Sequence, residues 1–265
     1  MPEEGDFAVS IARMAGSLLM DRFTKRHRID YKGEIDLVTE ADRMSEGLLI
    51  TEISRRFPDH DILSEETVEM ARGSRYRWVI DPLDGTTNYA HGFPVFCVSI
   101  ALEKEGQVIT GVIYNPVSGE LFVAGRGEGA FLDGSPISVS GTTKISESLL
   151  ATGFPYDIRR DPNNNINYFS EIALKAQAIR RAGSAALDLA YTAAGRFDGF
   201  WELKLHPWDT AAGWLLVSEA GGVVTDVSGS GYRLDSPSIL ASNGKIHEDM
   251  IRILDGVDPA DRRLL

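Results

Sequence analysis

The sequence predicts a mixed α/β protein built as two halves, an α+β half over residues 1–143 and an α/β half over residues 144–265. Three observations predict it. Between residues 95 and 139, short apolar runs are punctuated by Lys104-Glu105-Gly106, Pro116-Val117-Ser118-Gly119, the glycine-rich stretch 125–129 and Asp133-Gly134. Connections this short join antiparallel neighbours in a meander. Beyond residue 149, apolar runs of strand length alternate with stretches of helical spacing, which is the α/β pattern. The character changes over residues 141–146, and the change divides two closely associated halves rather than two independently folding domains.

Taken in order, Ala8, Ile11, Ala12, Ala15, Leu18 and Leu19 recur at helical spacing, so an amphipathic helix opens the chain. Residues 30–38 are polar around Gly33 and read as a loop or short hairpin. Thr39 followed by Asp42 resembles a capping box for a second helix, which carries Leu48, Leu49, Ile53 and Phe57 and ends before Pro58. Residues 61–64 form a short strand that runs into Glu65 and Glu66. Residues 78–80 read as a buried strand that ends at Asp81. The meander strands are 95–102, 107–115, 120–124, 130–132 and 137–139. In the second half, strands are expected at 149–152, 178–181, 197–202, 223–226 and 239–242. Helices are expected at 168–176, 184–194 and 208–220, with a last one around Met250, Ile251 and Ile253.

Composition narrows the function. The 265 residues are 43% hydrophobic, enough for a large core. The formal net charge of −12 makes a poor direct partner for nucleic acid or an anionic membrane. It would also repel a phosphorylated substrate unless metal ions reversed the local charge. The single Cys97, in an apolar run, excludes an internal disulfide and a Cys-based zinc site. The start of the chain lacks the features of a signal peptide, and no apolar stretch is long enough to span a bilayer, so a cytoplasmic protein is expected. The five histidines, at 27, 60, 91, 206 and 247, show no metal-ligand spacing. The sequence holds no nucleophile elbow, phosphate-binding P-loop or dinucleotide fingerprint.

The chemistry concentrates in Asp81-Pro82-Leu83-Asp84-Gly85-Thr86-Thr87-Asn88. Asp81 precedes proline and is held extended, Pro82 and Gly85 turn the chain, and both carboxylates can project toward a common point. Residues 86–88 suit a helix start, whose free N–H groups bind phosphate oxygens. Two carboxylates beside such a start make sense together around a hard divalent cation; the same residues also suit an ordinary Asp-Pro, Asp-Gly surface turn. Asp42 and Asp209 are open to the same double reading, as helix-end carboxylates or as site residues. Glu65 and Glu66 read either as a solvated pair or as strand-end acids beside Asp81. Arg180 and Arg181 read as surface ion pairs. Gly183 and Ser184 open a helix where small side chains let a polyhydroxylated ligand approach, and Glu202 ends a nearby strand.

These residues resemble the inositol monophosphatase family. The stretch from Asp81 to Asn88 looks like its first signature, Trp208-Asp209-Thr210-Ala211-Ala212-Gly213 running on to Glu219-Ala220-Gly221-Gly222 looks like its second, and Ser64-Glu65-Glu66 matches its upstream acidic pair. The run from Arg181 to Tyr191 resembles bacterial members. The resemblance implies a layered α/β/α/β/α sandwich, shared with fructose-1,6-bisphosphatases, with the active site between the halves of a homodimer. It implies Mg²⁺ held by Glu65, Asp81, the Leu83 carbonyl, Asp84 and Asp209, and sensitivity to Li⁺. Glu65, Thr86 and Asp42 would be catalytic. Asp84, Gly85, Thr86, Gly183, Ser184, Ala185 and Glu202 would bind substrate; Arg181 is a further candidate, and Lys32 matches a loop lysine near the third metal position. The substrate implied is a small phosphorylated polyol or sugar, first myo-inositol 1-phosphate. Fructose 1,6-bisphosphate, histidinol phosphate and a nucleotide 3′-phosphate are the alternatives. Some bacterial relatives are partners of the transcription machinery independently of catalysis.

Overall fold

The structure, a computed structural model, describes residues 3–23, 29–31, 37–67 and 69–257. Lys32 and the loop to Asp36 lie outside the described residues, and so does any test of the role expected for Lys32.

Helix α1 (Glu3–Phe23) is followed by the antiparallel hairpin of β1 (Ile29–Tyr31) and β2 (Leu37–Thr39), then by α2 (Glu40–Arg56). The expected capping box opens α2. The Thr39 N–H donates to Asp42 Oδ2 at 2.8 Å, while the Ala41 N–H donates to Thr39 Oγ1 at 3.1 Å. Then come β3 (Asp61–Ser64), β4 (Tyr76–Asp84) and the short helix α3 (Thr86–Ala90). The meander is β5 (Cys97–Lys104), β6 (Gln107–Asn115), β7 (Glu120–Gly125), β8 (Gly129–Leu132) and β9 (Ser135–Pro136). These seven strands form one sheet in chain order, β3 parallel to β4 and the rest antiparallel.

A 3₁₀ turn (Ile145–Glu147) leads into β10 (Leu149–Thr152), α4 (Ile166–Ala173), β11 (Ala178–Arg180), α5 (Ala185–Ala193), β12 (Gly199–Leu203), α6 (Pro207–Glu219), β13 (Val223–Thr225), β14 (Ser238–Ser242) and α7 (His247–Asp255). The second sheet has the order β11-β10-β12-β14-β13, with β10 parallel to both its neighbours and β14 antiparallel to both of its own.

Three apolar cores make this a sandwich of five layers. Ile11, Ala15 and Leu19 of α1 and Leu49 and Ile53 of α2 bury against Trp78, Ile80, Ile100 and Val112 on one face of the first sheet. On the other face Cys97, Ala101 and Ile113 meet Leu187, Leu189, Ala212 and Leu216 of α5 and α6, which also cover Ala151, Phe200 and Ala241 of the second sheet. The outer face of that sheet, with Leu150, Trp201 and Leu240, is closed by Ile172 of α4 and by Met250 and Leu254 of α7. The α6 helix comes so near the first sheet that a Cβ on Gly111 would lie 2.8 Å from the Ala212 carbonyl oxygen.

Two expectations need correcting. The strand through 78–80 does not end at Asp81; β4 runs on to Asp84, with a register shift between Asp81 and Asp84 that absorbs Pro82, a residue unable to donate to the ladder. Residues 137–139 are not a strand. The Ile137 N–H donates to Ala130 and the Val139 N–H to Ala220, so these two bonds lead to different parts of the molecule. Smaller shifts are the start of the 95–102 strand at Cys97 and the start of the fourth helix at Ile166.

Candidate active site

The parallel pairing of β3 and β4 sets Ser64 opposite Ile80. The chain positions that follow, Glu65 just past the end of β3 and Asp81 still within β4, therefore come side by side. Past the register shift, Asp84 pairs across to Cys97. Gly85, at φ +100°, turns the chain into α3; a Cβ there would also sit 2.8 Å from the Val95 carbonyl oxygen. Asp209 arrives from the other side at the third position of α6, where it accepts from the His206 N–H at 2.6 Å. Glu65, Asp81, Leu83, Asp84, Gly85, Thr86, Gly183, Ser184, Ala185, Glu202, Asp209 and the exposed Arg181 all line one cavity of about 340 Å³ between the sheets. Asp42 stands behind it, buried, accepting from Thr86 Oγ1 at 2.8 Å.

Hydrogen bonds between distant parts of the chain hold the wall together. Ser184 Oγ and the Ala186 N–H each donate to Asp84 Oδ2 at 2.7 Å. Asn88 Nδ2 donates to the Ala182 carbonyl at 2.8 Å. Ser45 Oγ of α2 donates to the Pro82 carbonyl at 2.8 Å, bracing the β4 irregularity.

The electrostatics are those of crowded like charges. Burial pushes the Asp81 carboxyl well up, and the charges of Glu65, Asp84 and Asp209 push it the same way; only the Leu83 N–H opposes. Asp84 is raised by burial against the pull of Ser184, Ala186 and Ala185. Asp209, partly exposed at the cavity wall, is raised by the surrounding protein and then by Asp84. Asp42 is raised by burial, opposed by its bonds from Thr39 and Thr86. Glu202 is pushed up to about 8 by burial, with Arg181 opposing and Asp84 adding.

Among the described residues no three His, Cys, Asp or Glu side chains are gathered closely enough to form a finished metal cage. The donor set nonetheless fits a hard divalent cation. It is all oxygen, and the charges facing the buried Asp81 are uniformly negative, which a cation would relieve.

At and behind the cavity, sequence reasoning missed two buried acids. Glu46 of α2 accepts from Ser64 Oγ, from Thr67 Oγ1, from the Glu66 N–H at 3.1 Å and from the Thr67 N–H at 3.0 Å, so it grips both sides of Glu65. Its signal was present: Asp42, Ser45 and Glu46 fall at i, i+3 and i+4, one face of one helix. The other is Asp188, inside an otherwise apolar stretch of α5.

Fold and site together define a class: a five-layered αβ protein with an acid-lined, polar cleft between its two sheets. The chain matches the model of the inositol monophosphatase family over residues 2–258, and it belongs to that family. It is 45% identical over 251 residues to an inositol-1-monophosphatase of Synechocystis, covering 94% of this chain and 88% of the relative. It is 43% identical over 256 residues to the Nus factor SuhB of Pseudomonas aeruginosa, covering 93% of each. Among solved structures, inositol monophosphatase from Anabaena (Nostoc) superposes with a TM-score of 0.88 at 44% identity over 96% of both chains. Extragenic suppressor protein suhB from Bartonella henselae superposes with a TM-score of 0.90 at 41% identity, over 95% of this chain and 98% of the other. The family is one of metal-dependent phosphatases, so a phosphatase role and a small phosphorylated substrate are supported. Among the described residues no helix is long and apolar enough to cross a membrane.

Proposed function

We propose that this protein hydrolyses a small phosphate monoester with Mg²⁺, with myo-inositol 1-phosphate its first substrate, as a cytoplasmic homodimer whose halves, 1–143 and 144–265, both contribute to the site. The observation that carries the reading is the meeting of Glu65, Asp81, Asp84 and Asp209 on one cavity. These four and the Leu83 carbonyl would hold the metal. Bound Mg²⁺ would make a water more acidic and neutralise charge on the leaving oxygen. The protein's own part begins with Thr86. Its hydroxyl donates a hydrogen bond to Asp42, so its oxygen would be free to accept one from a water that Glu65 would orient. Gly85 and Thr86 N–H groups would bind the phosphate. Glu202 and the backbone at Gly183, Ser184 and Ala185 would receive the alcohol, with Arg181 at the rim. Sensitivity to Li⁺ belongs to the same reading.

Glu46 would act by holding residues 64–67 so that Glu65 faces the cavity. Replacing it with Gln puts an amide N–H₂ against hydroxyl and N–H donors. Glu46→Gln is expected to raise the Mg²⁺ concentration needed for half-maximal thermal stabilisation by about tenfold, read by thermal denaturation across a Mg²⁺ series; an unchanged midpoint concentration would remove Glu46 from this role.

The test is Mg²⁺-dependent phosphate release, with and without Li⁺, from inositol 1-phosphate, fructose 1,6-bisphosphate, histidinol phosphate and 3′-phosphoadenosine 5′-phosphate side by side. A preference for inositol 1-phosphate is expected; turnover of none would refute the reading. A second reading is favoured by the Nus factor SuhB names among relatives at 41% and 43% identity: a protein partner of the transcription machinery, independent of catalysis. Recovery of RNA polymerase subunits by an Asp84→Asn protein would support it.

A further inference from the structure

Asp188 has no part in the chemistry above, yet its setting is costly. Its helical neighbours Ala185, Ala186, Leu187, Leu189 and Ala190 are all buried and apolar, and Asp188 itself is 1% exposed. Among the described residues its Oδ1 is the buried side-chain polar atom left without a hydrogen-bond partner. A buried carboxyl in that state costs folding free energy. The favourable first-turn helix dipole does not account for it, because an exposed acid would receive that benefit without the burial. What distinguishes the position is that Asp188 lines the cavity together with Glu202. The two carboxyls come from different elements, Asp188 from α5 and Glu202 from β12. The charged groups that bear on Asp188 are Glu202, Asp84 and Arg181. Two carboxyl groups beside a guanidinium make a receptor for several hydroxyl donors on one small ring, and a compact phosphate without hydroxyls would gain nothing from it.

We propose that Asp188 is a specificity-determining residue that, with Glu202, takes hydrogen bonds from separate hydroxyls of a polyhydroxylated substrate. The proposal rests on the phosphatase reading and deepens it: discrimination among phosphate monoesters then depends on the alcohol. An acid kept for this purpose is expected to be dispensable for folding.

The test uses the full-length protein and its Asp188→Asn and Asp188→Ala variants. Steady-state kinetics with Mg²⁺ are run on inositol 1-phosphate and on 4-nitrophenyl phosphate, whose alcohol carries no further hydroxyl. Binding of free myo-inositol is followed by saturation-transfer NMR, and thermal midpoints are recorded. For Asp188→Ala, KM for inositol 1-phosphate should rise about tenfold, as for a lost hydrogen bond to substrate, with kcat little changed. Its kcat/KM on 4-nitrophenyl phosphate should be retained, and its thermal midpoint should be equal or higher. Asp188→Asn, which keeps an acceptor in the same shape, should fall between. Equal losses on both substrates, an unchanged KM for inositol 1-phosphate, or a lowered midpoint would overturn the proposal. If the native protein hydrolyses neither phosphate but binds myo-inositol, and Asp188→Ala does not, the phosphatase reading fails while the binding of ligand hydroxyls by Asp188 stands. If turnover is normal and the variant behaves like the native protein, the reverse holds.

Discussion

Asp84→Asn is expected to lower kcat/KM by at least about three orders of magnitude, roughly 4 kcal/mol of transition-state stabilisation, in a protein that stays folded. Both parts follow from the surroundings of Asp84. Its Oδ2 accepts from Ser184 Oγ and the Ala186 N–H, and an amide oxygen can keep both bonds. What asparagine cannot supply is the charge. Asp81 and Asp209 are both pushed up partly by Asp84, so removing that charge eases a repulsion already present in the fold. The metal-free variant should therefore unfold at a temperature no lower than the native protein. Mg²⁺ should raise the melting temperature of the native protein and leave the variant unchanged, since a ligand stabilises only the state that binds it. Retained turnover, or equal stabilisation of both proteins by Mg²⁺, would count against Asp84 as a metal ligand.

Gly153→Ala is expected to cost about a hundredfold in kcat/KM on a polyol phosphate, the scale of a small misplacement in a binding site. A Cβ at this position would overlap the Glu202 carboxylate. The backbone cannot easily retreat. Asn165 Nδ2 donates to the Gly153 carbonyl at 2.5 Å and to Thr152 Oγ1 at 2.8 Å, and Asn165 is itself fixed by Trp201 Nε1 at 2.7 Å. The conflict falls on Glu202, a flexible side chain able to swing aside at small cost to the fold. The loss should thus appear on inositol 1-phosphate and not on 4-nitrophenyl phosphate. A double-mutant cycle with Glu202→Ala checks the route: Gly153→Ala should add nothing once Glu202 is gone. Additive losses would show that the glycine acts by another path.

Which residues were readable from sequence follows from how each is held. Asp81 and Asp84 were readable because a buried strand that runs into acids around a proline is unusual. Glu65 was readable because its strand is short and its partner strand close in the chain. For Asp42 and Asp209 the sequence posed a choice between helix cap and site residue; in the structure each caps its helix, and Asp209 also lines the cavity while Asp42 bonds Thr86, which lines it. Asp42 bonds Thr39 through Oδ2 and Thr86 through Oδ1, and Asp209 bonds the His206 N–H while lining the cavity. A carboxylate has two oxygens, so local capping and long-range work are compatible. The course of β4 past Asp81 was hidden because Asp-Pro and Asp-Gly are turn signals, and a register shift inside a ladder has no local signature. Residues 137–139 have the composition of a strand but bond to two separate elements. Asp188 stood in an apolar helical run with nothing in the sequence to say that the run faces a cavity.

The bonds from Ser184 and Ala186 to Asp84 span 100 and 102 residues. That separation puts a clock on the site. During synthesis Asp81 and Asp84 leave the ribosome long before the helix that will steady them exists, and Asp209 comes later still. The first sheet, built from neighbours in the chain, can form early, whereas its acids remain without their later partners until α5 and α6 have been made. Competence is therefore acquired in one late step, and a chain released early would carry exposed acids on a sheet lacking its inner cover. With the proposed ligand set, capture of a metal would report that the chain has been made through α6 and closed.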